Sequence, residues 1–323
     1  MISTPNIQPK TKSLTGLILY SNKGDPTRTL TLRNAFVRDM KRRFKELIRA
    51  VWQSINTEDV FGLKMQANVL PTAGQQAFAF QTSAQKVESF MRWFRLEVEK
   101  GVLETKTFEQ VGVGVESAWT NIYVTDTYKK GVIRSRYEMK KAGFGTPGIV
   151  ETGGIEMSMM APMHLDRMGL LYSRVYNELR GITAAMDTQI SRILSQGIAD
   201  GDNPITLARK LVAAIDGTGM GKLGLTDTLG RFIPAMRRAE ILARTEVIRA
   251  HHQGMIQEYR NWGVEGVTVQ AEWITAGDNR VCAQCDAMVG NGDLPGGYYS
   301  LDAISPLIPV HPQCRCMALP IKL

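Results

Sequence analysis

From Leu30 onward, apolar residues recur at steps of three and four: Phe36, Met40, Phe44, Leu47, Ile48, Val51 and Ile55. That is the period of one helix face, so a helix is predicted to begin at Leu30. The same period predicts helices over Ala84 to Lys100 (Val87, Phe90, Met91, Phe94, Leu96, Val98) and over Glu116 to Lys141. The longest register runs from His164 to Ala199, through Leu165, Met168, Tyr172, Val175, Leu179, Ile182, Met186, Ile190 and Ile193. Asn203 is suited to cap a short helix through Asp216, with Pro204 at its first position, where the missing N–H costs nothing. A further helix is expected from Ile233 to Trp262. Its apolar positions are Ile241, Leu242, Ile248, Met255 and Tyr259, with Ala243-Arg244-Thr245-Glu246 and His251-His252 pointing elsewhere. After Gly263 the period changes to two, and Val267 to Trp273 alternates like a strand.

The interruptions define the organisation. Residues 1–28 are polar and aperiodic and read as an extended arm. Residues 29–160 form a basic helical region, 161–263 a long-helix body, and 264–323 a cysteine-rich module of short β-elements and turns. The fold class expected is α+β, a mainly α-helical body with a small β-rich, metal-stapled C-terminal module. Met157, Met159, Met160 and Met163 cluster after a glycine break and read equally as a partner-facing or a buried loop. The glycines from Gly217 to Gly224 mark a linker, since Gly221-Lys222 is followed by Leu223 and not by the Ser or Thr of a phosphate loop.

Charge changes this picture by its distribution. The chain of 323 residues carries +8, but residues 264–323 hold three basic and six acidic side chains, leaving +11 on the first 263. Any contact with phosphates therefore belongs to the helical part. On the first helix Arg33, Arg38, Lys41, Arg42, Arg43, Lys45 and Arg49 face only Asp39 and Glu46. They read either as a solvated face or as a surface for DNA or an acidic partner. No apolar run is long enough to cross a membrane.

All four cysteines lie within the last 42 residues, as Cys282-Ala-Gln-Cys285 and His311-Pro-Gln-Cys314-Arg-Cys316. Two cysteines two residues apart can grip one ion from a single turn, and two such turns make a tetrahedral zinc site. Disulfides fit less well, because the first twenty residues lack the apolar core and cleavage site of a secretory leader. The zinc expected is structural, one per chain. The His-x-Glu of zinc deaminases and the His-Glu-x-x-His of zinc proteases are both absent. Five candidate ligands (Cys282, Cys285, Cys314, Cys316 and His311) compete for four places. His311 either replaces a cysteine or supports a thiolate by hydrogen bonding. Arg280 and Arg315 are expected to donate to the sulfurs.

Ala-Arg-Thr-Glu on a helix, then Trp273 to Cys285, then Pro309-Val-His311-Pro-Gln-Cys314-Arg-Cys316, resembles the phage Mu F-like minor head proteins, or head-morphogenesis proteins. The resemblance covers roughly Leu165 to Cys316. It implies a structural minor head protein of a tailed bacteriophage, made in the host cytoplasm and placed in the head interior or at the portal vertex. It further implies several copies in a ring around the portal protein, contacts with major capsid protein and packaged double-stranded DNA, and roles in head morphogenesis and DNA delivery. The alternative is a zinc-containing nuclease packaged in the head. That reading lacks a His-Asn-His set or an acidic pair beside the cysteines.

Overall fold

The computed structural model describes residues 24–63, 82–110, 113–145, 154–217, 233–264 and 267–322. Most of the expected arm and of the glycine-rich linker lies outside these residues. The elements are α1 (Leu30–Trp52, prolonged by a π-helical turn Gln53–Thr57), α2 (Ser83–Gly101), β1 (Thr105–Gln110), β2 (Val113–Ala118) and α3 (Asn121–Lys141). There follow α4 (Gly154–Met159), α5 (Pro162–Ala199), α6 (Pro204–Asp216), α7 (Ala235–Val264) and β3 (Gln270–Ile274). The short helix α8 (Ala283–Ala287), a 3-10 turn Pro295–Gly297, α9 (Leu301–Ile304) and β4 (Met317–Ile321) complete the chain. The fold is thus mainly helical with a small strand-containing C-terminal region, as the periodicity implies.

The chain divides into two compact units assembled from separated segments: Met1–Ala35, Asn121–Ser173 and Arg244–Leu323 in the first, Phe36–Thr120 and Arg174–Ala243 in the second. In the second unit the predicted stripe of α1 is buried through Phe36, Met40, Phe44, Leu47 and Val51, as are Phe90 and Phe94 of α2 and Leu179, Ile182, Met186 and Ile190 of α5. Boundaries follow local chemistry. Thr82 and Gln85 close a reciprocal capping box on α2. Asn203 accepts from Thr206 N–H at the start of α6, and Gly217 ends that helix at φ 85°, a left-handed conformation.

One expected helix starts later than its periodicity suggested. Strands β1 and β2 pair antiparallel, with Thr105 opposite Ala118 and Gln110 opposite Val113, so residues 116–118 belong to a strand. The reason lies in Val113-Gly-Val115, whose period is two and whose glycine disfavours helix. Helix α3 begins only at Asn121.

The first unit is organised on α7. A Cβ placed on Gly131 of α3 would stand 2.1 Å from His251 O, and one on Gly254 of α7 would stand 2.4 Å from Tyr128 O. The two helices therefore touch backbone to backbone, which only glycine allows at these points. Helix α7 also supplies Ile248, Met255, Ile256, Tyr259 and Trp262 to a core shared with Trp273, Tyr299, Ile304, Ile308 and Met317. Its polar groups Glu246, His251, His252 and Glu258 are all buried. A helix enclosed on several sides has no solvated face, so its polar groups need internal partners. Glu258 finds Arg136 Nε at 2.6 Å, and His252 Nε2 lies 3.1 Å from Ile304 O.

The methionine cluster resolves into both readings at once. Met159 is buried, whereas Met157, Met160 and Met163 are exposed, as is Leu165. Helix α4 is tied to α3 by the Lys129–Glu156 ion pair and by Arg136 donating to Ser158 Oγ at 2.6 Å. Among the described residues no helix is long and apolar enough to cross a membrane.

Candidate metal centre

The pairing of β3 with β4 positions the cysteines. The strands are antiparallel, with Trp273 opposite Ala318 and Ile274 opposite Met317. The end of β3 thus lies beside the start of β4. The chain leaving β3 carries Cys282 and Cys285, and the chain entering β4 carries Cys314 and Cys316. Locally, Cys282 caps α8 by accepting from Cys285 N–H at 3.4 Å, which turns both thiols to one side. A third element brings its own support, as Gln313, at φ 62°, donates its N–H to Thr245 Oγ1 of α7 at 3.0 Å. The Ala-Arg-Thr-Glu segment of α7 is therefore a platform under the second ligand loop.

All five candidate ligands are brought together, as two triads sharing Cys285: Cys282, Cys285 and His311, and Cys285, Cys314 and Cys316. Cys285 Sγ lies 3.9 Å from Cys314 Sγ, and His311 Nε2 lies 2.9 Å from Cys285 Sγ and 3.3 Å from Cys282 Sγ. In a tetrahedron with metal–sulfur distances of about 2.3 Å, two sulfurs stand about 3.8 Å apart and a sulfur and nitrogen about 3.6 Å. The Cys285–Cys314 spacing matches that of two sulfurs on one ion and the histidine is drawn close, while the five atoms form two overlapping triads that share Cys285. This group of cysteines and histidine could hold a metal ion. Cys285, Cys314 and Cys316 are buried, while Cys282 is exposed at the rim. Hydrogen bonding with Cys314 pushes the Cys285 thiol up, and the same contact holds Cys314 down.

Arg280 and Arg315 do not turn to the sulfurs as expected. Both converge on Asp278. Arg315 grips it with two bonds of 2.6 and 2.7 Å, and Arg280 donates at 3.0 and 3.3 Å. A planar guanidinium matches two carboxylate oxygens better than a diffuse sulfur, which explains the choice. Arg315 first and Arg280 after it hold the Asp278 carboxyl far below the usual range. Arg315 also donates to Gly24 O at 2.9 Å, and Gly24 N–H to Ala276 O at 3.0 Å. The segment entering α1 is thus fastened to the ligand loops.

The cations of α1 lie in the second unit and are not equivalent. Arg38, Lys45 and Arg49 are exposed and make no ion pair among the described residues. Arg42 is engaged by Asp39 and Glu46, and Lys41 by Glu240 at 3.0 Å. Arg43 is buried, pairing with Glu104 at 2.8 Å and stacking 4.2 Å above the Trp119 ring.

Sequence reading missed a buried network in the first unit. Tyr128 Oη lies 2.9 Å from His164 Nδ1, and Asn261 Nδ2 and Glu258 stand 3.2 and 3.4 Å from His164 Nε2. Its members come from α3, α5 and α7, and no short-range spacing announces them.

The molecule is thus a mainly helical α+β protein whose C-terminal module gathers cysteines and a histidine that could hold a metal ion. Residues 188–319 match the family model described as Phage Mu protein F like protein. The resemblance read from the motifs is borne out over that segment, and with it a part in phage head morphogenesis is supported. Neither the curated proteins nor the solved structures contain a match to the chain.

Proposed function

We propose that the protein is a structural minor head protein of a tailed bacteriophage that sits at the portal vertex and acts by position. The observation that carries this reading is the convergence of three separated motif pieces (residues 244–246, 278–285 and 311–316) within the matched segment. They build a staple rather than a reaction centre. One zinc ion held by four of the five ligands would supply cross-linking of two loops, and the residues around it bind and orient. Glu246 is buried on α7 beside Arg249, at 3.2 Å, which suits a fixed charge better than a proton shuttle. The two pockets of about 300 and 500 Å³ that flank β3 contain none of the cysteines or histidines in their walls.

The proposed contacts divide by chemistry. Packaged double-stranded DNA meets the exposed cations Arg38, Arg42, Lys45 and Arg49, which share one face of α1. The portal protein or major capsid protein meets exposed apolar surface such as Met157, Met160 and Met163, whose flexible side chains adapt to a partner. Several copies form a ring around the portal, and the protein assists DNA delivery. The test is its location and copy number in purified particles carrying the parent chain, Cys285→Ser or Glu246→Gln. Expected are a few copies per head at the portal vertex, their loss with Cys285→Ser, and near-normal infectivity with Glu246→Gln. Fully assembled but inactive Glu246→Gln particles would contradict action by position.

A further inference from the structure

Four guanidinium groups of the first unit gather where the chain enters α1, and only two carboxylates answer them. Asp278 is shared by Arg280 and Arg315. Asp25 takes Arg33, at 2.6 Å. Gly24 stands at the centre: a Cβ there would lie 3.3 Å from Asp278 Oδ2, 3.7 Å from Arg280 Nη2 and 3.9 Å from Arg315 Nη1. Arg244 of α7 lies near enough for its charge to act on Arg33.

Two of the four have donors to spare. Arg33 is 5% exposed, yet its Nε is buried without a hydrogen-bond partner. Arg244 is half-buried and makes no hydrogen bond or ion pair among the described residues. Burial first, and then repulsion from Arg244, Arg315 and Arg280, pulls the Arg33 guanidinium below its ordinary value against the attraction of Asp25. A cluster of like charges, partly dry and with open N–H groups, is costly unless an anion completes it.

We infer that Arg33 and Arg244, backed by Arg280 and Arg315, form a binding site for a phosphate oxyanion. The fork of N–H groups on each arginine matches tetrahedral oxygens, and a bound phosphate offsets the two unanswered positive charges. The site is separate from the α1 stripe and does not depend on the assignment of that stripe to DNA. Two sources offer this chemistry: a free or terminal phosphate, and a diester of the nucleic-acid backbone.

The test titrates the full-length, metal-loaded chain with inorganic phosphate by calorimetry, at constant ionic strength against chloride. Saturable binding of about one phosphate per chain is expected, weakened on the order of tenfold or more in Arg244→Gln and largely retained in Arg244→Lys, which keeps the charge. Charge reversal at Arg38 and Lys45 should leave phosphate binding unchanged. A blunt duplex without terminal phosphates is then added. Displacement of phosphate identifies the backbone as the source, and undisturbed phosphate identifies a free or terminal group. Unchanged metal content and circular dichroism show that the variants are folded. Phosphate binding no stronger than chloride, or a folded Arg244→Gln that binds like the parent, would overturn the inference.

Discussion

The second unit and the C-terminal module of the first are held by different physics. In the second unit, long helices bury continuous stripes: Phe36, Met40 and Phe44 on α1, Leu179, Met186 and Ile190 on α5. Its stability is spread over many dispersion contacts, each small. In the module, short strands and helices bury Trp273, Tyr299, Ile304, Ile308 and Met317 against the one helix α7. Point contacts add to that small core: the sulfur–imidazole cluster, the Asp278–Arg315 pair and the seat of Gln313 on Thr245. A distributed core loses stability gradually as side chains are trimmed. A stapled module depends on a few groups and fails when one goes.

That contrast should be most visible on metal removal. Chelation, or Cys285→Ser, is expected to remove amide-exchange protection across residues 267–322 while the helices of the second unit stay protected. Uniform loss in both regions would erase the distinction. Phe94→Ala, in the distributed core, should lower stability by about 3–5 kcal/mol without releasing metal, as followed by denaturant unfolding with metal analysis. Gly131→Ala should cost about 3 kcal/mol, because its Cβ meets the His251 carbonyl rather than a yielding side chain.

Acid tests the same boundary. Burial first of all pulls His251 down to about 3 and His252 to about 4. Both bind protons more readily when unfolded, so their contribution is complete above the unfolded value and is lost as pH falls through the folded ones. Stability should therefore drop by about 1.4 kcal/mol per pH unit for each histidine between about pH 6.5 and 4. His251→Gln should flatten that slope, measured with metal in excess so that ligand protonation is common to both proteins. Smallest of all, Arg42→Glu should change stability by about 1 kcal/mol or less, since its partners Asp39 and Glu46 are exposed i,i+3 and i,i+4 pairs.

The two regions were also legible in different ways. The stripe of α1 and the Asn203 cap of α6 follow from local periodicity and local hydrogen bonding, so sequence alone locates them closely. The five ligands were legible through spacing, because tight turns impose a short-range signature. What stayed hidden depends on groups far apart in the chain. Glu258 is buried with Arg136, 122 residues away, and Arg315 reaches Gly24 across 291. Periodicity separated the histidines of α7 from its apolar positions but did not show their burial, because it has no measure of how many elements enclose a helix. The pairing of β1 with β2 went unpredicted, and the helix expected from Glu116 overlapped only the last residues of β2.

The central claim is that three distant motif pieces close around one metal ion and that this ion holds the C-terminal module together. Native mass spectrometry of the full-length chain, purified without added metal, tests it directly. The account predicts one zinc ion per chain, lost in Cys285→Ser and in Cys314→Ser together with protection of residues 267–322. A metal-free chain in which those residues remain folded and protected would contradict it.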